Sequence, residues 1–266
     1  MSIVRLIASG KGGVGKSTIA ASLGLALEKL GRRVCVVDMD IGLRDLDAIL
    51  GLENAVVYDL VDVVCQGCDL TLALLPVPGT QTVKLLPASQ FARHKDLEPK
   101  ALRRVIRQLR DQFDDILLDC PAGVERWVKN AAACGVDQTL LVTTPDDVCL
   151  RDAQRTGDVL KAKGLPAPSV LVNRLNPELI LAGEMMTAQQ AAAVLDLPLL
   201  GELPEDPMVY RTLLRRTRLM DTVSPASEAL NRIARRLAGQ EVPLPGLGQR
   251  RPGWFRRLFS SRKKEG

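Results

Sequence analysis

Gly10-Lys11-Gly12-Gly13-Val14-Gly15-Lys16-Ser17 is the stretch on which the fold turns. It satisfies the pattern G-x-x-x-x-G-K-[ST], whose glycines let backbone N–H groups face phosphate oxygens while the following helix adds the positive end of its dipole. The pattern carries meaning only between a strand and a helix. Here Ile3-Val4-Arg5-Leu6-Ile7-Ala8 reads as a buried strand before it, and Lys16 to Leu30 as a helix after it, closed by Gly31. In that setting Lys16 is expected to reach the β- and γ-phosphates of a nucleotide, and the Ser17 hydroxyl to ligate Mg²⁺. Gly10 through Thr18 are therefore the expected nucleotide-binding residues.

Outward from the loop, apolar strands alternate with helices. Val34-Cys35-Val36-Val37 reads as a strand ending at Asp38, Val83-Lys84-Leu85-Leu86 as another, and Ile116-Leu117-Leu118 as one ending at Asp119. Further strands are expected over 138–143, 169–172 (ending at Asn173) and 199–203. Helices are expected over 45–50, 57–65, 99–112, from about Glu125, and over 148–163, 187–195, 207–216 and 225–238. Such alternation predicts βαβ units and a mostly parallel, twisted α/β sheet covered by helices on both faces. Ligands in such sheets sit beyond the carboxyl ends of the strands, where these acids and Asn173 fall.

Asp38 and Asp40 follow the second strand in Val37-Asp38-Met39-Asp40, and Asp119 closes its own strand in the Walker B manner. Ser17, Asp38, Asp40 and Asp119 form the expected metal set, with carboxylates at this edge also able to orient an attacking water. Pro121-Ala122-Gly123 suits a loop that senses the γ-phosphate, Gly123 offering a backbone N–H at close range. Lys11, a second lysine within the loop, reads as an equivalent of an arginine finger that crosses a dimer interface to the partner's γ-phosphate.

Composition narrows the class. The 266 residues are 46% hydrophobic, enough for one large domain over 1–238, and no apolar run reaches the length of a bilayer span. The short first apolar stretch runs straight into the loop, so no signal peptide is expected and a cytoplasmic location is. The net charge of +5 is not spread evenly. Residues 250–266 hold seven basic residues and one acid, leaving 29 basic and 30 acidic residues in the other 249. A neutral body with 3% aromatic residues argues against a nucleic-acid partner. The six cysteines are scattered and read as free thiols of a reducing compartment; Cys65-Gln66-Gly67-Cys68 lacks the second pair that a zinc site wants.

Residues 239–252 are proline- and glycine-rich without a period and read as a flexible linker. Beyond it, residues 253–266 read as an amphipathic membrane-targeting helix. In helical form Trp254, Phe255, Leu258 and Phe259 share one face, with Arg256 and Arg257 beside them. Each Lys or Arg near an anionic leaflet contributes about 1 kcal/mol. One such anchor binds reversibly, and two held in a dimer bind far better through effective concentration. ATP that bridges protomers is thus expected to favour membrane attachment, and hydrolysis release.

Lys11-Gly12-Gly13-Val14-Gly15-Lys16-Ser17-Thr18, Asp38-Met39-Asp40-Ile41-Gly42-Leu43-Arg44-Asp45-Leu46-Asp47, Leu86-Pro87-Ala88-Ser89-Gln90, Asp119-Cys120-Pro121-Ala122-Gly123-Val124-Glu125 and Gly201-Glu202-Leu203-Pro204-Glu205-Asp206 together resemble the deviant Walker A ATPases, the MinD–ParA family, and within it the MinD branch. The resemblance spans nearly the whole chain. It implies a sheet of about seven to eight strands, an ATP-dependent homodimer with Lys11 acting in trans, and Asp40 positioning the water. It places Asn173, Arg174, Pro204, Glu205 and Asp206 around the adenine. MinD-type members recruit the division inhibitor MinC to the membrane and are released by MinE, which stimulates hydrolysis; together they keep the FtsZ ring from the cell poles. The resemblance therefore implies a peripheral protein of the inner membrane's cytoplasmic face. Their partner surface corresponds to the neighbourhood of Arg151 and Asp152. The chain departs from the pattern at Val148-Cys149-Leu150 and at Asp45, where asparagine is usual. Relatives in flagellar-number control or DNA partition, an iron–sulphur carrier on the same fold, and a nucleotide-binding scaffold without turnover remain open on these residues.

Overall fold

The computed structural model describes residues 2–92, 97–123 and 127–248. The terminal segment 253–266, with Trp254 to Phe259, and residues 249–252 of the linker lie outside the described residues.

Eight strands form one sheet: β1 (Ile3–Ser9), β2 (Val34–Asp38), β3 (Leu75–Pro76), β4 (Val83–Leu86), β5 (Asp115–Asp119), β6 (Gln138–Thr143), β7 (Ser169–Leu175) and β8 (Leu199–Pro204). Their order is β3-β4-β2-β5-β1-β6-β7-β8, parallel throughout except for the antiparallel edge pair β3–β4. β1 lies centrally between β5 and β6, so the loop after it opens where the connections run off in both directions.

Alternate residues of each strand enter opposite cores, as a pleated strand requires. Val4, Leu6 and Ala8 pack into one, together with Cys35, Val37, Ile116 and Leu118. Ile7, Val34, Val36 and Leu117 pack into the other. The first core is covered by α3 (Leu60–Cys65), α5 (Pro99–Gln112), α6 (Val128–Ala133), α7 (Asp147–Ala162) and α9 (Ala188–Leu195). The second is covered by α1 (Lys16–Glu28), α2 (Leu46–Leu50) and α11 (Pro225–Leu237). Helices on both faces explain why the strands are largely apolar, with many of their polar residues at or near the strand ends. Within β1, Arg5 is fully buried; it pairs with Asp115 and donates to the Leu237 carbonyl at 2.8 Å, tying β1 to β5 and α11.

Several boundaries differ from the sequence expectation. α4 (Leu70–Ala73), α8 (Pro177–Ala182) and β3 are additional. Each is too short to show a period, and α8 buries none of its residues, so no apolar stripe announces it. Its start is fixed instead by Asn176, whose side chain accepts from the Glu178 and Leu179 N–H groups. β7 continues past Asn173 to Leu175, its pairing with β8 shifting register on the way. α6 begins at Val128 rather than near Glu125, which lies outside the described residues. α10 (Pro207–Leu214) stops two residues before the expected end, and Arg216 takes a positive φ of 52°.

Residues 239–248 form no regular element, yet they run in contact with the body. Arg236 donates to the carbonyls of Val242 and Pro243, both at about the ordinary hydrogen-bond length (2.7 and 2.6 Å). The buried carboxylate of Glu202 accepts from the N–H groups of Gly246 at 2.5 Å and Leu247 at 3.1 Å.

Candidate functional site

The loop Gly10–Ser17 caps the carboxyl end of β1, and α1 starts directly from it at Lys16. Lys16 is buried, and its ammonium donates to the Asp119 carboxylate at 2.7 Å and to Ser17 Oγ at 3.2 Å. Burial works to lower its pKa, but the charge and hydrogen bond of Asp119 outweigh that and hold it raised. Lys16 is thus a secured cation.

Asp38 stands level with Asp119 in the pairing of β2 and β5, and both are almost fully buried. Asp38 Oδ1 accepts from the Asp40 N–H at 2.9 Å, while Oδ2 has no hydrogen-bond partner. Burial first, then the neighbouring Asp119, pushes the Asp38 carboxyl well above the usual carboxylate range. Burial also pushes Asp119 up, against the pull of Lys16. An orphaned carboxylate oxygen beside a second buried acid and the Ser17 hydroxyl is a donor set that a small hard cation would satisfy. The expected metal residues therefore fit Mg²⁺, although the described residues contain no ready-made cluster of three ligating acids. This suits an ion that keeps several waters and leans on phosphate oxygens. Asp40 is half-buried, close enough for its charge to act on both Lys16 and Asp38.

A cavity of about 710 Å³ opens on the other side of the loop. Gly15, Thr18, Asn173, Arg174, Pro204 and Glu205 line it. The structure thus brings together, around one hollow, the residues expected at the base. It also gives Asn173 and Arg174 a second task. Asn173 Nδ2 donates to the Val14 carbonyl at 2.8 Å and Arg174 Nη2 to the Gly13 carbonyl at 2.7 Å, so the end of β7 holds the phosphate loop from outside. Gly15, at φ 94°, has no room for a side chain: a Cβ there would stand 2.5 Å from Asn173 Nδ2.

Asp206 lines the same cavity, but its carboxylate is committed elsewhere. One oxygen caps α10 through the Met208 N–H at 2.9 Å, and the other accepts from Ala226 of α11 at 3.0 Å. These two bonds fix the cavity wall where α10 and α11 begin. Sequence reading missed other parts of the wall, namely Pro177 and Glu178 of α8 and Tyr210 of α10. Only the run Pro204-Glu205-Asp206-Pro207, a strand end followed by a helix start, hinted that α10 would border it.

Gly123 of the expected phosphate-sensing loop has its N–H engaged by the Ser9 carbonyl, to which it donates at 3.1 Å. Pro121 is buried and Ala122 exposed, with Ala122 Cβ 3.8 Å from where a Cβ on Gly12 would lie. Burial works to raise the Asp146 carboxyl, but hydrogen bonds from Thr144 and Cys149, and then the charge of the exposed Lys11, outweigh it and hold it lowered. Asp146 caps α7, so Lys11 lies near the start of the helix that carries Arg151 and Asp152. Arg151 is exposed and Asp152 half-buried.

Comparison with known proteins places these features. A family model described as ParA, NUBPL iron-transfer P-loop NTPase, matches residues 1–238. The septum site-determining protein MinD of Bacillus subtilis is 39% identical over 258 residues, covering 96% of each chain. Among solved structures, the MinC:MinD cell division protein complex of Aquifex aeolicus superposes with a TM-score of 0.85 at 35% identity, covering 93% of this chain and all of that one. The MinD of Pyrococcus horikoshii complexed with Mg-ADP gives a TM-score of 0.78 at 32% identity, with 89% of this chain and 96% of that chain covered.

Proposed function

From the premise that this chain belongs to the MinD branch of the ParA family of P-loop ATPases, we propose that it is an ATPase of division-site placement that takes ATP with Mg²⁺ in the Gly10–Ser17 loop. The observation that carries the reading is the buried Lys16–Asp119 pair beneath that loop, with the unpartnered Asp38 oxygen beside it. An incoming phosphate gives Lys16 a second anion. Ser17, Asp38 and Asp119 are the groups that would hold Mg²⁺, which supplies positive charge against the developing charge of phosphoryl transfer. Asp40 orients the water that attacks the γ-phosphate. Asn173 and Arg174 secure the loop and, with Pro204 and Glu205, receive the base.

Lys11 completes the phosphate cage of a second copy, so ATP joins two protomers. Residues 1–238 form the ATPase domain, 239–252 a linker, and 253–266 a membrane-targeting helix in which Trp254, Phe255, Leu258 and Phe259 enter the headgroup boundary beside Arg256 and Arg257. No helix among the described residues is long and apolar enough to cross a membrane, and attachment through this tail needs none. The protein then acts on the cytoplasmic face of the inner membrane. There it recruits a MinC-like inhibitor around Arg151 and Asp152 and is released by MinE-stimulated hydrolysis.

ATPase activity measured across a protein concentration series, with and without anionic liposomes, tests this reading. A trans lysine predicts a rate that climbs faster than linearly with concentration and rises further on lipid. Strict linearity would show a monomeric catalyst. Cosedimentation with the same liposomes should require ATP and be lost on deleting 253–266; equal binding with ADP would overturn the membrane cycle.

A further inference from the structure

Three hydrogen bonds run in series from the hydrophobic core to the backbone of Lys11. Trp127, 1% exposed, donates its indole N–H to the Gly123 carbonyl. The Gly123 N–H donates to the Ser9 carbonyl at 3.1 Å. The Ser9 hydroxyl, buried, donates to the Lys11 carbonyl at 3.0 Å.

The two ends of Gly123 differ in freedom. Its carbonyl is tied to a large rigid ring that is packed in the core and precedes α6, the Trp127 carbonyl itself accepting from Asn130 and Ala131 at 2.9 and 3.0 Å. Its N–H belongs to the preceding peptide, which turns about the φ of Gly123. That φ is 77°, and no heavy atom lies within 4 Å of where a Cβ would stand. Glycine turns there without steric cost. One N–H cannot make two full hydrogen bonds, so the Ser9 carbonyl and a phosphate oxygen compete for it. Because Ser9 also holds the Lys11 carbonyl, the outcome is felt in the loop that carries Lys11.

We propose that Trp127 is a positioning residue for ATP hydrolysis. Its indole N–H pins the Gly123 carbonyl so that the Ala122–Gly123 peptide hands its N–H from the Ser9 carbonyl to the terminal phosphate of the nucleotide. Diphosphate leaves the Ser9 bond in place, and triphosphate breaks it. The proposal rests on the ATPase reading above and adds to it the group that sets the sensing loop.

The full chain contains two tryptophans, so a Trp254→Phe background leaves Trp127 as the sole indole. Its emission, recorded without lipid, should shift with Mg²⁺ and a non-hydrolysable ATP analogue and stay at the nucleotide-free value with Mg-ADP. In turnover, Trp127→Phe keeps the ring's bulk and loses the donor. Its kcat should fall about five- to tenfold, the factor that one hydrogen bond of ordinary strength carries, with KM within about twofold of the parent. A purely structural role would move stability and KM together. Identical emission with diphosphate and triphosphate, or a folded Trp127→Phe protein with parental kcat, would overturn the proposal. If Trp127→Phe does not fold, the emission comparison decides alone. A parent chain without ATPase activity would fail the functional reading instead, and the emission comparison, which needs only binding, would still decide the role of Trp127.

Discussion

Gly10 lies against the backbone of Asp152: a Cβ on Gly10 would stand 2.3 Å from the Asp152 carbonyl carbon and 2.4 Å from its oxygen. The phosphate loop and the middle of α7 are therefore in backbone contact, across 142 residues of sequence. The contact joins the loop to the helix that carries Arg151 and Asp152, and it leaves no room for any side chain.

Gly10→Ala should accordingly displace either the loop or α7. Overpacking of this kind costs roughly 1–3 kcal/mol. We expect a lower melting temperature and nucleotide affinity weakened by at least about tenfold, since a loop moved by a fraction of an ångström loses several N–H contacts at once. Titration with a fluorescent ADP analogue alongside thermal melting checks both; an unchanged affinity would show that α7 yields freely.

Asn173→Ala removes the 2.8 Å bond to the Val14 carbonyl and opens space beside Gly15. The loss should be about 1 kcal/mol, read as roughly fivefold weaker binding of ADP with little change in fold stability. Asn173→Asp should be worse, because it sets a carboxylate against a carbonyl oxygen. The same titration ranks the two variants.

Asp38 holds an unsatisfied oxygen in the core, with its carboxyl pushed up by burial and by Asp119. Asp38→Asn replaces this poorly solvated acid beside Asp119 with a neutral amide and should raise the melting temperature of the nucleotide-free protein, by about 2–4 °C for each kcal/mol gained. The same variant should need far more Mg²⁺ for ATP turnover. Calorimetry without nucleotide and an Mg²⁺ titration of activity test the two halves separately.

Asp206 is the opposite case. Burial works to raise its carboxyl, but the N–H groups of Ala226 and Met208 and the Ser224 side chain outweigh it and hold it below the usual range. A depressed native pKa means the ion stabilises the fold above the ordinary Asp value, and that contribution fades as pH falls through the native value. Asp206→Ala should cost about 1–2 kcal/mol at pH 7, and the difference from the parent should shrink on acidification. Chemical denaturation at several pH values reads it; a gap that widens in acid would refute the assignment.

Glu202 tethers the segment after α11 through Gly246 and Leu247. Glu202→Ala should free that segment, giving faster protease cleavage within 240–248 while ATP binding stays close to the parent. Mass spectrometry of a timed digest locates the cut. Unchanged cleavage would mean that the Arg236 contacts suffice.

Much was readable along the chain because its causes are local. The glycines and lysines of Gly10–Ser17, the apolar strands ending at Asp38 and Asp119, and the 3.6-residue period of α5 and α7 each act within a few residues, so fold class and phosphate loop could be placed without a single long-range contact. What only the tertiary structure decided joins residues far apart: Lys16 against Asp119, Asn173 under Val14, Asp206 across two helix starts, Gly123 held between Ser9 and Trp127. Hydrogen-bond partners at such separations leave no periodic trace, because which donor meets which acceptor is set by sheet order and helix packing. The short α8, with no buried face, went unread for the same reason: its place at the cavity rim comes from its neighbours and not from its own pattern.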